Sequence, residues 1–165
     1  MKFFTLFFFC IPLCFYACTV NYSLSGKSIS PDVKTFSVAY IDNQASQIIP
    51  TLSDDITEGL KERFRSQAGL QLLSRDGDLQ FEGKITNYSV AYQGVTADQQ
   101  AAQNRLTITV FITFTNTVEP AKNFAKSFSA YRDYDARGSG MEELYIPEIV
   151  EQLIEEIFMN SVATW

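Results

Sequence analysis

The 165-residue chain contains no histidine. That absence removes the Ser-His-Asp and Cys-His nucleophile systems and the usual imidazole ligands for zinc. Cysteine is almost missing too. Its three copies, Cys10, Cys14 and Cys18, all fall within the first eighteen residues. The remainder of the chain has no disulfide framework. Positive charge is scarce, with 13 Lys and Arg against 19 Asp and Glu and a net charge of −6. Phosphate backbones and anionic membrane surfaces are held by basic faces, so this balance argues against nucleic acid and against broad adhesion to lipid. One long hydrophobic run exists, Phe3 to Ala17. It is shorter than the roughly 20 apolar residues that cross about 30 Å of hydrocarbon.

A charged start at Lys2, a short apolar centre and a small residue before a cut describe an export signal. The cut falls between Ala17 and Cys18. Phe15-Tyr16-Ala17-Cys18 resembles a bacterial lipobox, although Phe15 and Tyr16 are bulky where such boxes usually carry Leu and a small residue. In that class of signals the cysteine sulfur receives a diacylglycerol and the new amino terminus a further acyl chain such as palmitate. Cys18 is therefore the expected lipidation site. The expected organisation is a signal peptide over 1–17, a lipidated tether over 18–32 and one domain over 33–165. Loss of Lys2 with the signal makes the net charge one unit more negative.

Chemistry-bearing residues are few. Asp54-Asp55, Glu142-Glu143 and Glu155-Glu156 are adjacent pairs. Neighbours on a helix point about 100° apart and do not share a site, so these read as solvated helix surface. Asp76-Gly77-Asp78 has no oxygen-rich run of calcium-loop length behind it and reads as a tight turn. No catalytic residue, metal site or cofactor is expected.

Val33 to Ile41 alternates and predicts a strand. Asp42 to Pro50 reads as a loop. Leu52, Ile56, Leu60 and Phe64 recur by four and predict a helix, capped by Thr51 or Ser53 and stopped at Gly69. Leu70 to Ser74 is a short strand. Asp78 to Gln93 is a long one, with Leu79, Phe81, Gly83 and Ile85 in phase. Asn104 to Val118 puts Leu106, Ile108, Val110, Ile112 and Phe114 on one face and threonines on the other. Glu119-Pro120 marks a hairpin, and Phe124 to Tyr134 is the return strand. Ile146, Ile149, Val150, Leu153, Ile154, Ile157 and Phe158 form an apolar stripe on a final helix. That helix starts near Ile146 with Pro147 in its first turn, or earlier from a Ser139/Glu142 capping box with Pro147 inside it. The expected fold is α+β, in the order β-α-β-β-β-β-α. A small, mostly antiparallel or mixed sheet of four to five strands carries two helices on one face.

Pro50-Thr51-Leu52-Ser53, Gly77 to Gly83, Asn104 to Val110, Phe114-Thr115-Asn116, Ser127-Phe128-Ser129 and the Ile149–Trp165 tail stand together in an order and spacing that resemble the LptE family of lipopolysaccharide-assembly lipoproteins. The resemblance covers almost all of the chain from Cys18 onward. It implies a non-catalytic protein, lipid-anchored on the periplasmic face of the outer membrane. Such a protein plugs the LptD barrel, assists its assembly and helps lipopolysaccharide reach the cell surface. It also implies basic residues that touch lipopolysaccharide. The candidates here are Arg105 with Lys122 and Lys126, and Arg132 with Arg137. The alternative reading is a periplasm-facing lipoprotein that activates a cell-wall synthase. The tether of about 14 residues reaches roughly 50 Å at most, which favours a partner at the membrane.

Overall fold

Three long strands build most of the sheet in the computed structural model, which describes residues 29–93, 103–135 and 142–162. Strand β4 (Leu79–Gln93) pairs antiparallel with β5 (Gln103–Asn116), and β5 pairs antiparallel with β6 (Phe124–Asp135). In β5 the residues Leu106 to Phe114 at even positions are buried, while Thr107, Thr109, Thr113 and Thr115 are half-buried. Side chains alternate across a strand, so this period-2 sequence turns one face to a core and leaves the other wet. The short strands β1 (Thr35–Val38) and β3 (Gln71–Leu72) add in parallel, giving the order β3-β1-β4-β5-β6.

A sixth strand, β2 (Asp42–Asn43), runs parallel to β4 inside the stretch expected to be loop. The Ala39 amide donates to the Phe81 carbonyl (2.8 Å) and the Gln44 amide to the Ile85 carbonyl (2.9 Å). The backbone thus stays on the sheet edge after β1 ends at Val38. Asp42 and Asn43 carry no alternating apolar pattern, so nothing in the sequence marked this pairing. The α+β class stands, with six strands rather than four or five.

Helix α1 (Leu52–Arg63) buries Leu52, Ile56 and Leu60. Neither expected cap acts as one: Thr51 makes no side-chain cap bond, and Ser53 lies buried within the helix. Acids at its start and bases at its end complement the helix dipole. It widens into a π-helical turn (Phe64–Ala68) and stops at Gly69, whose φ of +71° suits a residue without Cβ. Phe64 is fully buried where both helices meet the sheet. Its ring lies 4.6 Å from Phe81, 5.6 Å from Phe36 and 5.0 Å from Phe158. Phe81 continues to Phe114 and Phe114 to Phe124, so aromatic rings run from β1 to β6.

Helix α2 spans Glu142–Val162, so the earlier of the two expected starts is correct and Pro147 lies inside the helix. Ser139 falls outside the described residues. All seven residues of the predicted stripe are buried. At roughly 1.5–3 kcal/mol each this is on the order of 10–20 kcal/mol, an upper bound because the unfolded chain already hides part of that area. Arg63 of α1 reaches both Glu151 and Glu155 of α2 and ties the two helices together on the same side of the sheet.

Candidate functional site

The sheet has two unlike faces. Both helices cover one. The other, hereafter the open face, has no helix over it among the described residues. It displays Gln80, Glu82 and Lys84 from β4, the β5 threonines with Arg105 and Phe111, and Ser127, Ser129, Tyr131 and Asp133 from β6. A register shift between Ile85 and Asn87 inserts an extra residue into β4. Such a bulge moves the buried set of a strand by one position. Leu79, Phe81 and Ile85 point inward before it, and Tyr88 does so after it. Asn87 and Ser89 therefore join the open face. Burial pushes the Tyr88 hydroxyl pKa up, with Glu142 nearby adding to the shift.

The four predicted basic residues do not converge. Arg105 lies on the open face. Its guanidinium makes two bonds to Asp133 (2.7 and 2.8 Å) and rests 4.0 Å over the Tyr131 ring. That bidentate contact holds the Asp133 carboxyl below its ordinary range. Lys126 and Arg132 sit on the opposite, helix-covered face of β6, in line with Ile112 and Leu106. The Lys126 ammonium donates to Asn160 Oδ1 (2.6 Å) and lies 5.0–5.2 Å from the rings of Phe128 and Phe124. Arg132 pairs with Glu148. Lys122 stands in the single 3-10 turn (Pro120–Lys122) between β5 and β6, 2.9 Å from Glu119. Eleven residues of β5 separate Arg105 from the Asn116 end, where that turn lies, about 35 Å at the usual strand rise. Three of the four cations have a carboxylate partner, so they form no shared basic patch. Arg137 and Cys18 lie outside the described residues.

Asp78 belongs to the framework. One of its oxygens accepts from the Lys34 amide, the Thr35 amide and the Thr35 hydroxyl at 2.8–2.9 Å. Asp76 takes a φ of +57°, but the expected tight turn is not formed: β3 and β4 run parallel with β1 between them, so residues 73–78 make a longer crossing connection.

Sequence reasoning missed where the acidity sits. Residues 52–68 hold four acids and three bases, and α2 holds six acids and no base. The helix layer therefore carries −7 while the rest of the chain is +1, against a total of −6. The open face is only weakly acidic: Asp42, Glu82, Asp133 and Asp135 stand against Lys84 and Arg105, a net of −2. The signal was in the chain, because the acids cluster in the helical segments. Only the layering turns that clustering into one strongly acidic and one weakly acidic surface.

Several solved structures share this fold. A minor lipoprotein from Acinetobacter baumannii is 16% identical, with a TM-score of 0.50 over 79% of this chain and 95% of that one. Rare lipoprotein B from Shewanella oneidensis is 15% identical, with a TM-score of 0.50 over 76% of this chain and 92% of that one. The PelC dodecamer from Paraburkholderia phytofirmans also matches, at 10% identity and a TM-score of 0.50 over 84% and 93% of the two chains. At such identities the likeness is one of fold alone. No curated protein matches the chain. The model of the LptE family, described as lipopolysaccharide-assembly, matches residues 33–161, from the residue before Lys34 and β1 to the penultimate residue of α2. Because that match takes in both helices and every strand, the chain belongs to the LptE family.

Proposed function

We propose that this protein is a lipid-anchored component of the outer-membrane machinery that delivers lipopolysaccharide to the cell surface. In this reading Cys18 carries the lipid, the domain faces the periplasm, and the partner is an LptD-type β-barrel that the domain plugs and helps to assemble. The domain performs no catalysis. The observation that carries the reading is the family match across the whole folded domain, residues 33–161. The charge layout supports a structural role. An acidic helix layer is a poor surface for an anionic glycolipid, whereas a broad, hydroxyl-rich sheet face of smaller net charge suits contact with protein. Direct contact with lipopolysaccharide through Arg105, Lys122, Lys126 or Arg132 is the weaker part of the reading, because those side chains point to different surfaces.

Co-purification from detergent extracts through a tag after Trp165, read by mass spectrometry, tests the partner. A large outer-membrane β-barrel is the expected companion. Recovery of a cell-wall synthase and no barrel overturns the proposal in favour of the activator reading. The anchor is tested separately. Cys18→Ala is expected to abolish labelling by radioactive palmitate and to leave an uncleaved precursor. Undiminished labelling of that variant overturns the assignment of Cys18.

A further inference from the structure

We propose that the open face of the sheet, centred on Thr109, Phe111 and Ser129, is the surface that seats against the inner wall of the β-barrel partner. The inference rests on the barrel reading above and adds which side of the domain makes the contact.

Desolvation separates the two sides. Contact with a wall strips water from whatever faces it. Stripping an unpaired carboxylate costs several kcal/mol, and a hydroxyl that finds a new partner costs far less. The helix side exposes Glu148, Glu151, Glu155 and Glu156; Arg132 partners the first and Arg63 is shared by the next two, so the six acids of α2 still outnumber the cations that reach them. The open face carries four acids against two bases, a smaller excess than that of the helix layer, and Arg105 already holds Asp133 in a two-bond pair. Most of its remaining side chains are Thr and Ser hydroxyls.

The hydroxyls also fit the surface they would meet. Strands of an outer-membrane barrel turn apolar residues to lipid and polar residues inward. A hydroxyl both donates and accepts, so it adapts to such a wall without demanding a charge of fixed sign. Thr109 and Ser129, directly opposite across β5 and β6, already pair their hydroxyls at 3.0 Å and lie exposed to a partner. Half-buried Phe111 and the exposed ring of Tyr131 stand among them as aromatic anchors of the kind enriched at interface centres. Twelve paired residues on three strands give a flat footprint about 40 Å long and 15 Å wide. That is on the order of one partner's share of a standard interface.

Site-specific photo-crosslinking in the full-length protein distinguishes the sides. Benzoylphenylalanine is placed singly at Thr109, Thr113 and Ser129 on the open face, and at Gln152 and Glu156 on the helix side. Adducts with the barrel protein, identified by mass spectrometry, are expected at the three open-face positions and not at the two helix positions. Adducts confined to Gln152 and Glu156 overturn the inference while leaving the barrel partner in place. Failure of the wild-type protein to recover any barrel defeats the partner reading first and this inference with it. A second measurement uses Thr107→Glu with Ser127→Glu, which charges the face. Barrel recovery is expected to fall at least tenfold with an unchanged unfolding midpoint, and Gln152→Glu is expected to have no effect. Unchanged recovery in the folded double variant overturns the inference.

Discussion

Asp78 and Thr35 clasp each other across the junction of β1 and β4. The Asp78 carboxylate accepts from the Thr35 amide (2.9 Å) and hydroxyl (2.8 Å), and the Thr35 hydroxyl accepts from the Asp78 amide (3.0 Å). Three donors favour the ionised form, so the Asp78 pKa is lowered from its ordinary 3.8, with the Lys34 amide as the largest cause. A group whose folded pKa is depressed stabilises the fold above its unfolded value and loses that contribution as pH falls through the folded value. The unfolding midpoint in urea is therefore expected to drop as pH goes below about 4. Asp78→Asn is expected to be less stable at pH 7 and to show a smaller acid-induced drop. Equal pH profiles for the two proteins would sink this account.

Gly77 lies against the same junction. A Cβ there would stand 2.6 Å from both Phe36 Cα and Ser37 N, which are backbone atoms fixed by pairing on both sides of β1. Overpacking of this kind costs about 1–3 kcal/mol. Gly77→Ala is expected to lower the unfolding free energy by that amount, read as a lower denaturation midpoint at an unchanged slope. Gly69→Ala probes a different cost, the positive φ, with open space around the Cβ.

Leu153 is fully buried in the middle of the α2 stripe. Leu153→Asp places an unpaired carboxylate in the core, at a cost of several kcal/mol that is comparable to the whole stability of a domain. Loss of the cooperative melting transition is expected. Gln152→Asp, one position away on the exposed side, is expected to melt as the wild type does. A normal melt for Leu153→Asp would mean that the stripe does not pack on the sheet.

Lys122 and Lys126 bear on whether basic residues hold the partner. Both are surface cations, and exposed charge contacts contribute roughly 0–1 kcal/mol each. Replacing both by Gln is expected to leave barrel co-purification within about threefold of wild type. A contact of the same residues with lipopolysaccharide would rest on charge and weaken as salt rises. Loss of the barrel in the double variant would show that the partner is held by charge at the β5–β6 turn.

The sequence by itself determined the class of fold and most of its elements. Strict alternation through Leu106 to Phe114 and the three-four spacing from Ile146 to Phe158 are local patterns, and each is tied to one backbone geometry. Gly69 as a helix stop follows from backbone sterics in the same way. The absence of histidine removed the common catalytic systems without any structure. Tertiary structure decided the rest. Strand β2 exists because β4 offers it a free edge, which no local propensity records. The bulge near Thr86 decides that Tyr88 points inward, since a one-residue slip exchanges the two faces of a strand. Arg105 and Lys126 look alike in sequence but stand on opposite faces of the sheet. Charge on a chain is a sum, whereas charge on a surface depends on which elements share a layer. Only packing both helices on one side of the sheet separates a strongly acidic layer from a hydroxyl-rich face of smaller net charge.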